Sequence, residues 1–123
     1  MTKTRVLIVE DEPSIVESLS FILRQAGFDT EIAVDGTEAL QRLRRQVYSA
    51  LILDLMLPGI SGFDVLRTVR AEKALETLPV IVLTAKGQAA DRKAAEDIGA
   101  TAFITKPFSN ADVVAQVRQL TGN

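Results

Sequence analysis

Glu10, Asp11 and Glu12 stand together at the end of the apolar run RVLIV, Asp54 ends the run ALILD, Thr84 ends PVIVLT, and Lys106 follows TAFIT. Each has an ordinary explanation by itself. Asp54 suits a turn ahead of Pro58 and Gly59, Thr84 a strand terminus, Lys106 a solvated loop, and Glu12 the start of a helix before Pro13. Their joint placement is what points to chemistry. Carboxylates that converge on one crevice repel one another unless a cation joins them. A hard divalent ion such as Mg²⁺ meets that need, because it takes oxygen ligands and keeps several waters. Asp11, Asp54 and a backbone carbonyl of the turn would serve it, with Glu10 acting through water. A carboxylate so held can attack phosphorus and become an aspartyl phosphate. Thr84 would then hydrogen-bond the new phosphoryl oxygens, and Lys106 would offset their charge.

The segments that must position these groups are legible as strands. RVLIVE (Arg5 to Glu10), ALILD (Ala50 to Asp54) and PVIVLT (Pro79 to Thr84) are nearly continuous apolar runs, the pattern of strands covered on both faces; TAFIT (Thr101 to Thr105) is a fourth strand. DTEIAV (Asp29 to Val34) alternates polar with apolar residues and suits an edge.

Helical periods lie between the strands. Ile15, Leu19, Ile22, Leu23 and Ala26 form one stripe, ended by Gly27, while Ala39, Leu40, Leu43 and Val47 form a second, opened by Asp35 and Gly36. Ser61 with Asp64, and Ser109 with Asp112, match a reciprocal capping pattern at two further helix starts. Their stripes are Leu66 with Val69, and Val113, Val114, Val117 and Leu120. The fourth helix, Gln88 to about Ile98, has mainly alanines on its apolar side, so it is expected to be held less firmly. Strands alternating with helices imply right-handed crossovers and a doubly wound sheet, whose ligands bind beyond the carboxyl ends of the strands.

The 123 residues fit one domain, 1–123, and a balance of 47% hydrophobic and 24% charged residues with net charge -2 is that of a globular protein. The chain contains no cysteine and no histidine. That removes disulfides, thiolate catalysis, imidazole general bases and phosphohistidine, leaving carboxylates, hydroxyls and lysine. MTKTRVLIVED lacks the apolar stretch of a signal peptide and no run approaches membrane-spanning length, so the expectation is a cytoplasmic protein with no membrane partner.

VLIVEDE, LILDLMLPGISG, VIVLTAK and GATAFITKPF, in this order and at these separations, resemble the receiver (CheY-like) domain of two-component response regulators over essentially the whole chain. The resemblance implies a flavodoxin-like doubly wound (βα)5 three-layer sandwich with parallel sheet order 2-1-3-4-5. It makes Asp54 the phosphoacceptor for a sensor histidine kinase or phosphotransfer protein. Mg²⁺, or another divalent cation such as Mn²⁺, would be held by Asp11, Asp54 and the carbonyl of Met56, with Glu10 completing the acidic pocket. Thr84 and Phe103 match the switch hydroxyl and switch aromatic, Lys106 the phosphate-binding lysine, and the Lys106–Pro107 bond is expected to be cis. Met56 and Lys86 match positions that tune acyl phosphate hydrolysis. The expected activity is self-catalysed phosphoryl transfer and autodephosphorylation, with the fourth helix, fifth strand and fifth helix read by an output partner.

Other readings fit less of the chain. A flavin or nucleotide domain needs a glycine-rich loop after the first strand, where EDEPS stands instead. A metal-dependent phosphatase with a two-aspartate loop needs an acid two residues after its nucleophile, where Met56 stands. A degenerate receiver used only for binding would not need the full set of site residues present here. Arg92 and Asp112 match one ion pair of a phosphorylation-dependent homodimer, but GATAF lacks the usual aspartates and Gln116 replaces an arginine. The cluster Arg42, Arg44 and Arg45 suits a solvated helix face better than a nucleic-acid site, so direct nucleic acid binding is not expected.

Overall fold

The apolar runs that lead into Glu10, Asp54 and Thr84 become the inner strands of one parallel sheet. In the computed structural model, which describes residues 4–122, the strands are β1 (Arg5–Val9), β2 (Asp29–Ala33), β3 (Ala50–Asp54), β4 (Val80–Ala85) and β5 (Ala102–Lys106). Their spatial order is β2-β1-β3-β4-β5, and each neighbouring pair is parallel. The flavodoxin-like order implied by the resemblance is therefore present, and the alternating segment DTEIAV supplies an edge strand as expected. The helices are α1 (Pro13–Gln25), α2 (Gly36–Arg45), α3 (Gly62–Ala71), α4 (Ala89–Ile98) and α5 (Asn110–Thr121). Among the described residues, no helix is long and apolar enough to cross a membrane.

Strand alternation divides the core into two layers. Leu7, Val9, Leu51, Leu53, Val80 and Val82 pack with side chains of α2 and α3 and with Ala95 of α4. Val6, Ile8, Ala50, Ile52, Ile81 and Leu83 face the opposite way, against Leu19, Leu23, Val113 and Val117 of α1 and α5. Glu10, Asp54 and Lys106 continue the second alternation at the carboxyl ends of β1, β3 and β5. Thr84 continues the first, on the same side as Phe103, which is partly buried against that layer. One sheet thus assigns the charged groups and the pair Thr84 and Phe103 to different faces.

Helix starts follow the local signals. Asp35, Ser61 and Ser109 accept hydrogen bonds from the backbone N–H groups of Glu38, Asp64 and Asp112, satisfying donors that the first turn leaves free. The reciprocal half expected at Asp64 gives way to another bond, since its carboxylate accepts from Arg67 at 2.7 Å. In α4 Ala95 is the only buried residue, in keeping with its alanine-rich apolar side.

One expectation is corrected. Val47 is 88% exposed rather than part of the second stripe, because α2 ends at Arg45 and Gln46 turns to extended backbone at φ -149 and ψ 160. The arginine cluster faces solvent as expected, and two of its members are also paired. Arg42 bonds Glu38 and Glu31, and Arg44 bonds Glu72, so the charges tie α2 to β2 and to the end of α3. The strand ends also shift by a residue: β1 stops at Val9, β2 at Ala33, and Lys106 lies within β5.

Gly62, at the first turn of α3, is the tightest joint near Asp54. A Cβ there would lie 2.2 Å from the Asp54 carbonyl oxygen and 2.5 Å from Leu55 Cα, both backbone atoms that cannot swing aside. Its N–H also donates to the Leu55 carbonyl at 3.0 Å, which folds the turn back on the strand end. Gly62→Ala is expected to cost about 3 kcal/mol, the upper end of the usual overpacking range, measured as a lower midpoint in urea with unchanged slope.

Candidate functional site

Register alone brings the acidic residues together. Val9 pairs with Leu53, so the next residues, Glu10 and Asp54, leave adjacent strands side by side. On the far side Ala85 pairs with Lys106, and Asp54 pairs with Leu83, which puts β4 between the acid and the lysine-bearing strand. Long side chains close that gap. Lys106 Nζ lies 3.1 Å from Glu10 Oε1 and 3.8 Å from Asp54 Oδ2.

Glu10 is 1% exposed and Asp54 6%, whereas Asp11 is exposed. One carboxylate oxygen from each of the three lies within 4.8 Å of the others. Glu10 Oε2 also accepts from the backbone N–H groups of Asp11 at 3.0 Å and Glu12 at 3.2 Å, while Asp54 Oδ1 accepts from Met56 N–H at 3.2 Å. Around them opens a cleft of about 550 Å³ lined by Asp11, Glu12, Pro13, Asp54, Met56, Ala85, Gln88 and Lys106.

The expected Asp11, Asp54, Met56 and Lys106 therefore meet at one cleft, with Glu10 buried beside it. Thr84 is buried, and the neighbouring residue Ala85 rather than Thr84 lines the cleft. Phe103 stands apart on the opposite face, with the Arg92 guanidinium carbon 4.6 Å from its ring centroid and Gln116 Nε2 donating to its carbonyl at 2.9 Å. Arg92 and Gln116 are thus both engaged within the chain. The Lys106–Pro107 bond is cis, as expected.

Two residues near Asp54 escape a reading by residue type. Gly62 shapes the turn, and only the density of Pro and Gly in LPGISG signals it. Gln88 lines the cleft and accepts from Ala85 N–H at 3.1 Å, a contact that no sequence pattern announces.

Electrostatics favours a cation. Burial pushes the Glu10 carboxyl from 4.5 up to about 7, helped by hydrogen bonding and repulsion from Asp54 and opposed by the Glu12 backbone N–H and Lys106. An all-oxygen donor set with excess negative charge, in which burial pushes the Glu10 carboxyl up to about 7, fits a hard divalent ion.

The sign of the pH effect follows. Because Glu10 binds its proton more tightly when folded, the stability this group contributes is complete below pH 4.5 and is lost as pH rises through about 7. In metal-free buffer Asp54→Asn should exceed the wild type in stability at about pH 8, by about 1.4 kcal/mol for each tenfold rise in the proton affinity of Glu10 that Asp54 causes. The gap should narrow as pH falls below about 7, where Glu10 of the wild type takes up its proton, and thermal melts in a chelator measure it.

Comparison with known proteins points to one family. A family model described as the response regulator receiver domain matches residues 6–118. The DNA-binding response regulator MtrA of Mycolicibacterium smegmatis is 40% identical over 116 residues, covering 94% of this chain and 50% of that protein. The chain spans about half the length of the curated relatives it matches. Chemotaxis response regulator CheY4 of Vibrio cholerae superposes with TM-score 0.90 at 28% identity, over 97% of this chain and 99% of that one. The receiver domain of sensor histidine kinase PA1611 from Pseudomonas aeruginosa, solved with a magnesium ion coordinated in its active site cleft, gives TM-score 0.92 at 29% identity, over 99% and 100%. Matched from β1 into α5 and alike in sheet order, the chain belongs to the receiver domains of two-component response regulators.

Proposed function

We propose that Asp54 is the phosphoacceptor and that the chain, as a receiver domain, takes a phosphoryl group from a sensor histidine kinase or phosphotransfer protein. The observation that carries this reading is the setting of Asp54: a carboxylate 6% exposed, within a three-acid cluster that suits a divalent ion, and 3.8 Å from the Lys106 ammonium. An Asp54 oxygen attacks phosphorus in line, forming a P–O bond as the P–N bond of a donor phosphohistidine breaks. Mg²⁺ or Mn²⁺, held by Asp11, Asp54 and the Met56 carbonyl with Glu10 behind them, would supply charge neutralisation for the transfer.

This chain's own residues do the rest. Lys106 leaves its bond to Glu10 and binds a phosphoryl oxygen, an exchange its flexible stem permits. Thr84 donates its hydroxyl to a second oxygen, and Phe103 turns into the space that Thr84 leaves. That turn takes the ring away from Arg92 and rearranges α4, β5 and α5, the face an output partner reads. Met56 and Lys86 flank the acyl phosphate and set its hydrolysis, so the only reactions are self-catalysed transfer and autodephosphorylation.

MtrA is described as DNA-binding, yet Arg42 and Arg44 of this chain are paired with carboxylates, which weighs against a nucleic-acid site here. Arg92 and Gln116 are likewise occupied, which weighs against a homodimer in the unphosphorylated state. A cytoplasmic location accords with a kinase donor.

With acetyl phosphate and Mg²⁺, intact-mass measurement should show one phosphoryl group gained by the wild type and none by Asp54→Asn. Equal gain in both would overturn the assignment. Light scattering with trifluoroberyllate, which mimics the phosphoryl group, should show a monomer if the switched face docks a different protein and a dimer if it docks a second copy.

A further inference from the structure

Gln88 is the N-cap residue of α4, yet its side chain does not cap that helix. It reaches back to the last residue of β4, where Oε1 accepts the Ala85 N–H at 3.1 Å. The Gln88 N–H donates to the Ala85 carbonyl at 3.3 Å, so one glutamine closes the Ala85–Gln88 turn from both sides. Gly87 makes this turn practicable with φ +88. Both partners of the side-chain bond line the cleft that contains Asp54, Met56 and Lys106.

A phosphoryl group on Asp54 needs donors for several oxygens, and the cleft lining offers Lys106 Nζ, Met56 N–H and Ala85 N–H. Met56 N–H already points at the Asp54 carboxylate. Ala85 N–H is instead occupied by a neutral amide oxygen on a side chain with several rotatable bonds. An anionic phosphoryl oxygen is the stronger acceptor, because hydrogen bonds to charged groups are roughly twice as strong as neutral ones.

Resting on the phosphoacceptor reading, we infer that Gln88 is a placeholder in the anion site: it holds the Ala85 N–H until a phosphoryl oxygen displaces it. Gln88 is then a positioning residue with two effects. Its competition weakens phosphoryl binding, and its release unties β4 from the first turn of α4, the helix anchored by Ala95 alone among its buried positions. The signal would reach α4 through this turn as well as through Thr84 and Phe103.

The experiment titrates trifluoroberyllate with Mg²⁺ into wild type, Gln88→Ala, Gln88→Glu and Asp54→Asn, following backbone and side-chain amides by NMR. In the wild type the Ala85 amide and the Gln88 side-chain amide should both shift on binding, a readout that needs no variant. Gln88→Ala should bind about fivefold more tightly, the worth of one neutral hydrogen bond that no longer has to be displaced. Gln88→Glu should bind more weakly, because a carboxylate grips the N–H harder and repels the anion. Opposite directions are the mark of competition, since a merely structural role would make both variants bind less well.

Binding that depends on Asp54 but leaves Ala85 unshifted, or is not tightened in Gln88→Ala, overturns the placeholder and leaves the phosphoacceptor intact. Absence of binding in the wild type, or equal binding in Asp54→Asn, overturns both.

Discussion

Mutual repulsion among carboxylates at the end of a buried sheet is the constraint around which this molecule is organised. Two like charges about 4 Å apart near a protein surface repel by about 4 kcal/mol. The fold nevertheless holds Glu10, Asp11 and Asp54 within 4.8 Å. Three sources of relief are available: a proton on Glu10, the ammonium of Lys106, and a divalent ion. The first two act together in the metal-free structure, where Lys106 bonds Glu10, and the third would suit the negative charge that remains.

Sustaining that cluster requires strands that cannot yield. β3 is buried along its whole length, and β1 from Val6 onward, with apolar layers on both faces. Gly62 locks the turn after Asp54 against backbone atoms. On the other side of the sheet the requirement is reversed. α4 buries one residue where α1, α2 and α3 each bury four, so it is the element that can move at least cost. A rigid acidic edge beside a lightly anchored helix is a physical basis for converting local charge into a change of surface.

The strands were legible because a doubly covered sheet demands continuous apolar runs, and the helix starts because Asp35, Ser61 and Ser109 leave local capping signals. The edge position of β2 was legible in the alternation of DTEIAV. Val47 misled because helical periodicity counts apolar residues without sensing where the backbone turns, and the turn at Gln46 removes Val47 from the stripe. The arginines of α2 face solvent as expected, while their pairing with Glu31 and Glu72 depends on elements distant in sequence. Gln88 carried no signal at all, because its reversed bond to Ala85 depends on a turn that only the folded backbone defines.

By itself the sequence determined the chemical inventory: carboxylates, a threonine and a lysine at the ends of apolar runs, with no imidazole or thiol to share the work. It also determined the order of elements, since periodicity and capping are local properties of the chain. Tertiary structure alone decided that Lys106 reaches Glu10 across 96 positions, that burial pushes the Glu10 carboxyl up to about 7, that Arg92 lies over Phe103, and that Gln88 occupies the Ala85 N–H. These are consequences of distance and burial, and Coulomb energy and desolvation depend on positions in space, which spacing along a chain does not specify.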